Sequence, residues 1–329
     1  MTTILKIKGI GLFSGGLDSI LAAKVIEGLG VEVAGVAFET PFFDAREARA
    51  IAGKIGLPLT VMDITDEHLR MLEAPRYGYG KNMNPCIDCH ILMLRKAGEV
   101  MEKAGADFLF TGEVLGQRPM SQGKQSLHVV ASRSGYGGYV VRPLSARLLP
   151  ETIPEKEGKI DREELLDIQG RSRKRQIEMA KNYGISGYSS PAGGCLLTDP
   201  IFSKRLKDLF EHRSDRDVRD IELLKYGRHL RLSQDAKAIV GRREGENKDI
   251  EDLSRNGDLI IKARDYPGPT VLVPYGCDDA TLEVAASICV LYSDAPNDSE
   301  VTVVCKEGIS PRLISATSAS KEDVKDLMI

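Results

Sequence analysis

An apolar run from Ile4 to Phe13 stops at Ser14-Gly15-Gly16, and apolar residues return at helical spacing from Asp18 to Ile26. A strand, a tight turn and a helix start so close together constrain the fold more than anything else in the chain. Glycines accept positive φ and let backbone N–H groups turn toward one point, where the helix N-terminus adds partial positive charge. The turn is therefore suited to an anion. Ser14 and Ser19 can add hydroxyl donors, and Asp18 can hold a divalent cation such as Mg2+ beside it. No Gly-Lys-Ser/Thr follows, so this is not the Walker loop. A plain glycine turn joining strand to helix is the alternative reading.

From Val31 onward strands and helices alternate. Strands are expected at 31–38, 59–64, 107–112 and 139–144, with helices at 44–55, 67–72, 87–104 and 123–132. This alternation predicts an α/β fold, a parallel doubly wound sheet with helices on both faces. Ligands of such sheets sit at the carboxyl ends of the strands, where Ser14–Ser19 and Thr111-Gly112-Glu113 both fall. After Pro150 the pattern changes. Asp161-Arg162-Glu163-Glu164 reads as the cap of a helix running to Asn182, and residues 184–194 as a loop in which Gly193-Gly194 folds the backbone back before Cys195. Short strands at 238–241, 258–263, 270–274 and 301–305 surround one helix at 280–292, which predicts a second, α+β domain. The expected division is 1–150, a linker and helical segment at 151–229, and 230–329.

No apolar run of the 329 residues approaches the ~18–20 needed to span a membrane, and the first residues lead into a strand rather than a signal peptide. A net charge of −3 hides an uneven distribution, because residues 171–243 carry 17 Lys and Arg against 9 Asp and Glu. A basic middle suggests a local polyanion contact, with a solvated helix face as the equal alternative. Within it, Arg173, Lys174 and Arg175 are candidates to track a nucleic-acid backbone.

Six cysteines are too sparse for a disulfide framework and point to thiol or metal chemistry in a reducing cytoplasm. Cys86 and Cys89 lie three apart at the start of a helix, where the N-terminus favours thiolates. By themselves they fit zinc, dithiol redox or an iron–sulfur cluster. Cys195 is a third candidate thiol. Cys277, Cys289 and Cys305 read as small core residues.

The Ser14-Gly15-Gly16-Leu17-Asp18-Ser19 loop resembles that of the PP-loop (N-type) ATP pyrophosphatases, of the adenine nucleotide α-hydrolase-like fold. With Cys89 before His90 and the distant Gly194-Cys195, the chain is similar to the tRNA thiouridine synthases. That resemblance implies ATP on Ser14, Gly15, Gly16, Asp18, Ser19, Phe38 and Gly112. It implies catalysis by Asp18, Cys89 and Cys195, a [4Fe–4S] cluster on Cys86, Cys89 and Cys195, tRNA as acceptor, and a sulfur donor that is free sulfide or a persulfide carrier. A homodimer is compatible with it. Arg118 is placed at the nucleotide or RNA phosphate, or else buried as a structural residue. Ile20 stands where the 2-thiouridine enzymes usually carry a second serine, so the modified position stays open. The final domain, through Ala263-Arg264-Asp265-Tyr266-Pro267-Gly268-Pro269 and Leu291-Tyr292-Ser293, resembles the RNA-binding module of the NFACT proteins, which implies RNA contact by Lys262 and Arg264. A PP-loop ligase acting on a small molecule and a non-catalytic RNA-binding factor are the competing readings.

Overall fold

The computed structural model describes residues 6–188, 194–296, 299–308 and 310–329. The chain divides into two units, 1–198 and 199–329.

In the first unit, β1 (Lys8–Leu12), α1 (Leu17–Gly28), β2 (Glu32–Glu39), α2 (Arg46–Ile55), β3 (Leu59–Asp63), α3 (Thr65–Glu73), α4 (Cys86–Lys103), β4 (Phe108–Thr111), α5 (Lys124–Ser134) and β5 (Val140–Val141) follow one another. The strands form one sheet in the order β3-β2-β1-β4-β5, every pair parallel. The order reverses between β1 and β4, so their carboxyl ends flank the switch point at which doubly wound sheets bind ligands. Apolar clusters cover both faces. One contains Leu21, Ile26, Phe108 and Phe110, the other Ile10, Val36, Leu94 and Leu109.

The expected long helix from Asp161 to Asn182 is not formed. Asp161 does cap, its side chain accepting from Glu163 N, but only a single turn at Arg162–Glu164 follows. The chain then runs extended, and the amides of Leu166, Ile168 and Gly170 donate to the carbonyls of Pro143, Leu144 and Leu115. Leu165 and Ile168 are buried in the first unit's core. Tertiary hydrogen bonds and burial here outweigh local helix propensity. After the short α6 (Ile153–Lys156), the helix that does form is α7 (Lys174–Asn182), which packs against α1. Residues 151–198 thus belong to the first unit and Asp199 opens the second.

The second unit begins with α8 (Pro200–His212) and α9 (Val218–Leu223), then β6 (Arg228–Arg231), β7 (Lys237–Val240), α10 (Glu244–Asp252), β8 (Leu259–Ala263), β9 (Val271–Val273), α11 (Asp279–Leu291), β10 (Val301–Glu307), β11 (Ser310–Ala316) and α12 (Lys321–Asp326). Its six strands form an antiparallel sheet in the order β11-β10-β8-β9-β7-β6. α11 packs on this sheet, and Cys289 and Cys305 are buried in the shared core with Cys277 half-buried at its margin. Among the described residues no helix is long and apolar enough to cross a membrane.

Candidate nucleotide and thiol site

The Ser14–Ser19 loop leaves the carboxyl end of β1 and enters α1 with Gly16 as the capping residue. Gly15 has φ +78°, and a Cβ there would lie 2.9 Å from the backbone of Glu47 and Ala48, so both conformation and space demand glycine. Ser19 Oγ donates to Gly16 O at 2.8 Å, Gly16 N donates to Ser14 Oγ at 3.3 Å, and the two hydroxyls stand 3.4 Å apart. Ser14 is exposed and Ser19 buried. The loop is thus pinned from within while presenting one hydroxyl outward.

Asp18 lies in the first turn of α1. Its Oδ2 accepts from Gln117 Nε2 at 2.7 Å, and its buried Oδ1 has no partner. A buried carboxylate oxygen without a donor suits a cation, so the site fits Mg2+ held by Asp18. Gly112, just past β4, touches the same place. A Cβ on it would come within 2.5–2.6 Å of the Asp18 carbonyl group and the Ser19 nitrogen. Glycine at this position lets the chain leaving β4 lie against the first turn of α1.

Glu113 follows at once and links loop to thiols. It is 7% exposed, accepting from Arg142 Nε at 2.9 Å through Oε2, with His90 Nδ1 at 3.1 Å from Oε1. Burial alone would push its carboxyl up, but the Arg142 guanidinium and His90 hold it down to about 2. His90 sits in α4 next to Cys89, so the charge at the end of β4 anchors the helix that carries the thiols. Sequence reasoning placed Glu113 at a strand end and gave neither it nor Arg142 a role; a buried ion pair between residues 29 apart has no local signature.

The segment before α4 is tied down by its own side chains. Asp88 accepts from the amides of Arg76 and Tyr77 at 3.1 and 3.0 Å, and Asn84 Nδ2 donates to Cys86 Sγ at 3.2 Å. Asn82 Nδ2 donates to Thr198 O at 2.6 Å, and Leu196 N to Phe42 O at 2.9 Å, which brings Cys195 to the same corner. Gly193 lies outside the described residues. All three cysteines are free and half-buried. Burial first, then the charges of Cys195, Cys86 and Asp88, push the Cys89 thiol far up. Burial pushes Cys195 up to about 11, with Cys86 adding to it and Arg118 opposing. Both shifts run against thiolate character; at Cys89 this reverses the expectation for the start of a helix, because burial outweighs the helix N-terminus here. Among the described residues no group of three or more His, Cys, Asp or Glu is spaced to hold a metal ion. Thiols are soft donors suited to zinc or an iron–sulfur cluster, but the spacing of these three does not by itself form a site for one.

The remaining candidates scatter. Phe38 is buried in the core beside Ile10 and Val36. Arg118 is exposed, so its buried alternative falls away, and its charge reaches Cys195. Arg173 turns inward to Asp18, whereas Lys174 and Arg175 are exposed and Arg175 pairs with Asp167 at 2.8 Å. In the second unit Lys262 pairs with Glu251 at 2.6 Å and Arg264 with Asp265 at 3.0 Å. Much of the basic middle is likewise matched: Arg231 and Lys237 face Asp208, Arg219 faces Asp258, and Arg242 faces Glu246.

Residues 5–148 match the family described as thiamine biosynthesis protein (ThiI), and residues 227–328 match the NFACT protein RNA binding domain. The first region is thus similar to the ThiI family, over less than half of the chain, and the second to the NFACT RNA-binding domain. The tRNA-specific 2-thiouridylase of Syntrophotalea carbinolica is 35% identical over 117 residues, covering 30% of this chain and 32% of that protein. The enzyme of the same name from Clostridium acetobutylicum is 34% identical over 122 residues, covering 30% and 33%. The chain thus spans about a third of the length of these relatives. A solved 4-thiouridine synthetase–RNA complex with bound ATP matches 54% of this chain and 40% of its own at 24% identity, with a TM-score of 0.37, too low to add to the fold. The ThiI-type match contains the loop, Cys86, Cys89, Gly112 and Glu113, but ends before Arg173 and Cys195.

Proposed function

We propose that this chain is an ATP-dependent tRNA sulfurtransferase of the cytoplasm. One observation carries the reading: the PP-loop, the Gly112–Glu113 strand end and three thiols lie along one continuous path at the carboxyl end of a parallel sheet. The ThiI-type and NFACT-type domains, and the thiouridylase relatives, support it.

ATP places its phosphates on the Ser14–Ser19 loop, where the Ser14 hydroxyl is exposed and the N-terminus of α1 adds partial positive charge. Asp18 would hold Mg2+, which supplies charge neutralisation on the polyphosphate. A uridine carbonyl oxygen attacks the α-phosphorus, pyrophosphate leaves, and the oxygen becomes part of an AMP leaving group. Sulfur then displaces AMP at the uridine carbon. Cys86, Cys89 and Cys195 would hold a [4Fe–4S] cluster, which when bound would supply a site for sulfide. Without it, Cys195 would receive sulfane sulfur from a persulfide carrier, Cys89 would attack Cys195 Sγ to release that sulfur as the nucleophile, and the resulting Cys89–Cys195 disulfide would be reduced by an external thiol. Glu113 and Arg142 keep His90 and the first turn of α4 in place beside the nucleotide.

The decisive experiment is nucleoside analysis of tRNA from cells with and without this protein. Loss of one thiolated uridine is expected, restored by the wild-type gene and not by Asp18→Ala. Unchanged thiolation would sink the reading. Iron and acid-labile sulfide in anaerobically purified protein, lost in Cys86→Ala, separate the cluster from the persulfide route.

A further inference from the structure

Arg173 belongs by sequence to a basic run, yet its side chain parts company with its neighbours. It stands immediately before α7 with its side chain 16% exposed, and Nη2 is 3.7 Å from Asp18 Oδ2. That is an ion pair too long for a hydrogen bond. Its Nε is buried without a partner, as is Asp18 Oδ1. One turn further on, Gln176 is fully buried. Its Nε2 donates to Gln117 Oε1 at 3.0 Å, and its Oε1 is unpartnered. Gln117 in turn donates to Asp18. Three segments distant in sequence therefore bring buried, partly unsatisfied polar atoms to one point beside the anion-binding loop. Such atoms are rare in folded proteins and mark places where a further partner belongs.

We propose that Arg173 is a polyphosphate-binding residue: its guanidinium takes oxygens of the β- and γ-phosphates of ATP in exchange for its loose contact with Asp18. Gln117 and Gln176 are positioning residues that hold the Asp18 carboxylate while Arg173 turns. The inference rests on the reading that the Ser14–Ser19 loop binds ATP. A planar guanidinium pairs with two phosphate oxygens at once, which an ammonium does not. AMP lacks both phosphates and gains nothing from Arg173.

The test is calorimetric titration of the full chain with ATP and, separately, AMP, each with MgCl2. Arg173→Ala is expected to weaken ATP binding about 10–100-fold and AMP binding less than about 3-fold. Arg173→Lys should recover part of the loss, and Lys181→Ala, on the exposed end of α7, should change neither. Equal losses for ATP and AMP, or unchanged ATP binding in Arg173→Ala, overturn the proposal; unchanged ATP binding with weakened tRNA binding would assign Arg173 to the RNA backbone. Wild-type protein that binds neither nucleotide overturns the loop reading as well, which distinguishes the two failures. If Arg173→Ala fails to fold, Arg173→Lys and Arg173→Gln carry the same comparison.

Discussion

Gly112 and Glu113 are adjacent in sequence and act by opposite means, one through what it lacks and the other through charge. Gly112→Ala would drive a methyl group into the Asp18 backbone, and the expected result is about 1–3 kcal/mol of lost stability together with weaker ATP binding. Denaturant unfolding and nucleotide titration check both. Glu113 is the buried acceptor for Arg142, so Glu113→Gln leaves a buried guanidinium poorly compensated at a cost of about 3–5 kcal/mol at neutral pH. The native carboxyl titrates near 2 instead of 4.5. A depressed carboxylate contributes stability that is fully present above its unfolded value and is lost as pH falls through the folded one. The gap between wild type and Glu113→Gln should therefore narrow as pH drops from about 4.5 toward 2, read as urea midpoints across that window. A constant gap would mean that the pair contributes through packing alone.

At the scale of elements, α4 and the segment before it depend on Asp88, whose carboxylate receives two amides from residues 11 and 12 positions earlier. Asp88→Ala should loosen residues 73–85, cost about 1–3 kcal/mol, and speed hydrogen exchange at Arg76 and Tyr77. Unaltered exchange at those amides would show that other contacts hold the segment. The βα alternation of the first 150 residues was readable because buried parallel strands and amphipathic helices differ in period and length. The helix expected from 161 to 182 was not, because its first half satisfies its backbone with the carbonyls of Leu115, Pro143 and Leu144. Such partners are invisible to a window of neighbouring residues. The strands at 228–231 and 310–316 were missed for a related reason, since edge strands carry weak alternation and acquire their identity from the strand they pair with.

For the whole molecule, the two units have separate cores: Leu230, Val240, Ile261, Val273, Ile288 and Val303 close the second without help from the first. Residues 199–329 expressed alone should show cooperative unfolding with near-ultraviolet circular dichroism, and a broad, non-cooperative transition would refute its independence. The division also explains how much of the function could be read from the chain. The glycine loop is legible because its conformation is local: glycine at a positive φ, a strand before it and a helix after it are written in consecutive residues. Cys86 and Cys89 are legible for the same reason. By contrast, the approach of Cys195 depends on hydrogen bonds from Leu196 to Phe42 and from Asn82 to Thr198, and spacing alone could not supply it. Charge alone left the partners open, because a run of basic residues says nothing about which carboxylates will face it; folding turned Arg173 to Asp18 and set Lys262 and Arg264 beside acids. Sequence by itself determined the parallel sheet, the glycine turn between β1 and α1 and the pairing of Cys86 with Cys89 at a helix start, all products of short-range geometry. Only tertiary structure decided which side chains share the site, because long-range contacts depend on where the sheet order reverses and on which buried polar groups can be paired there.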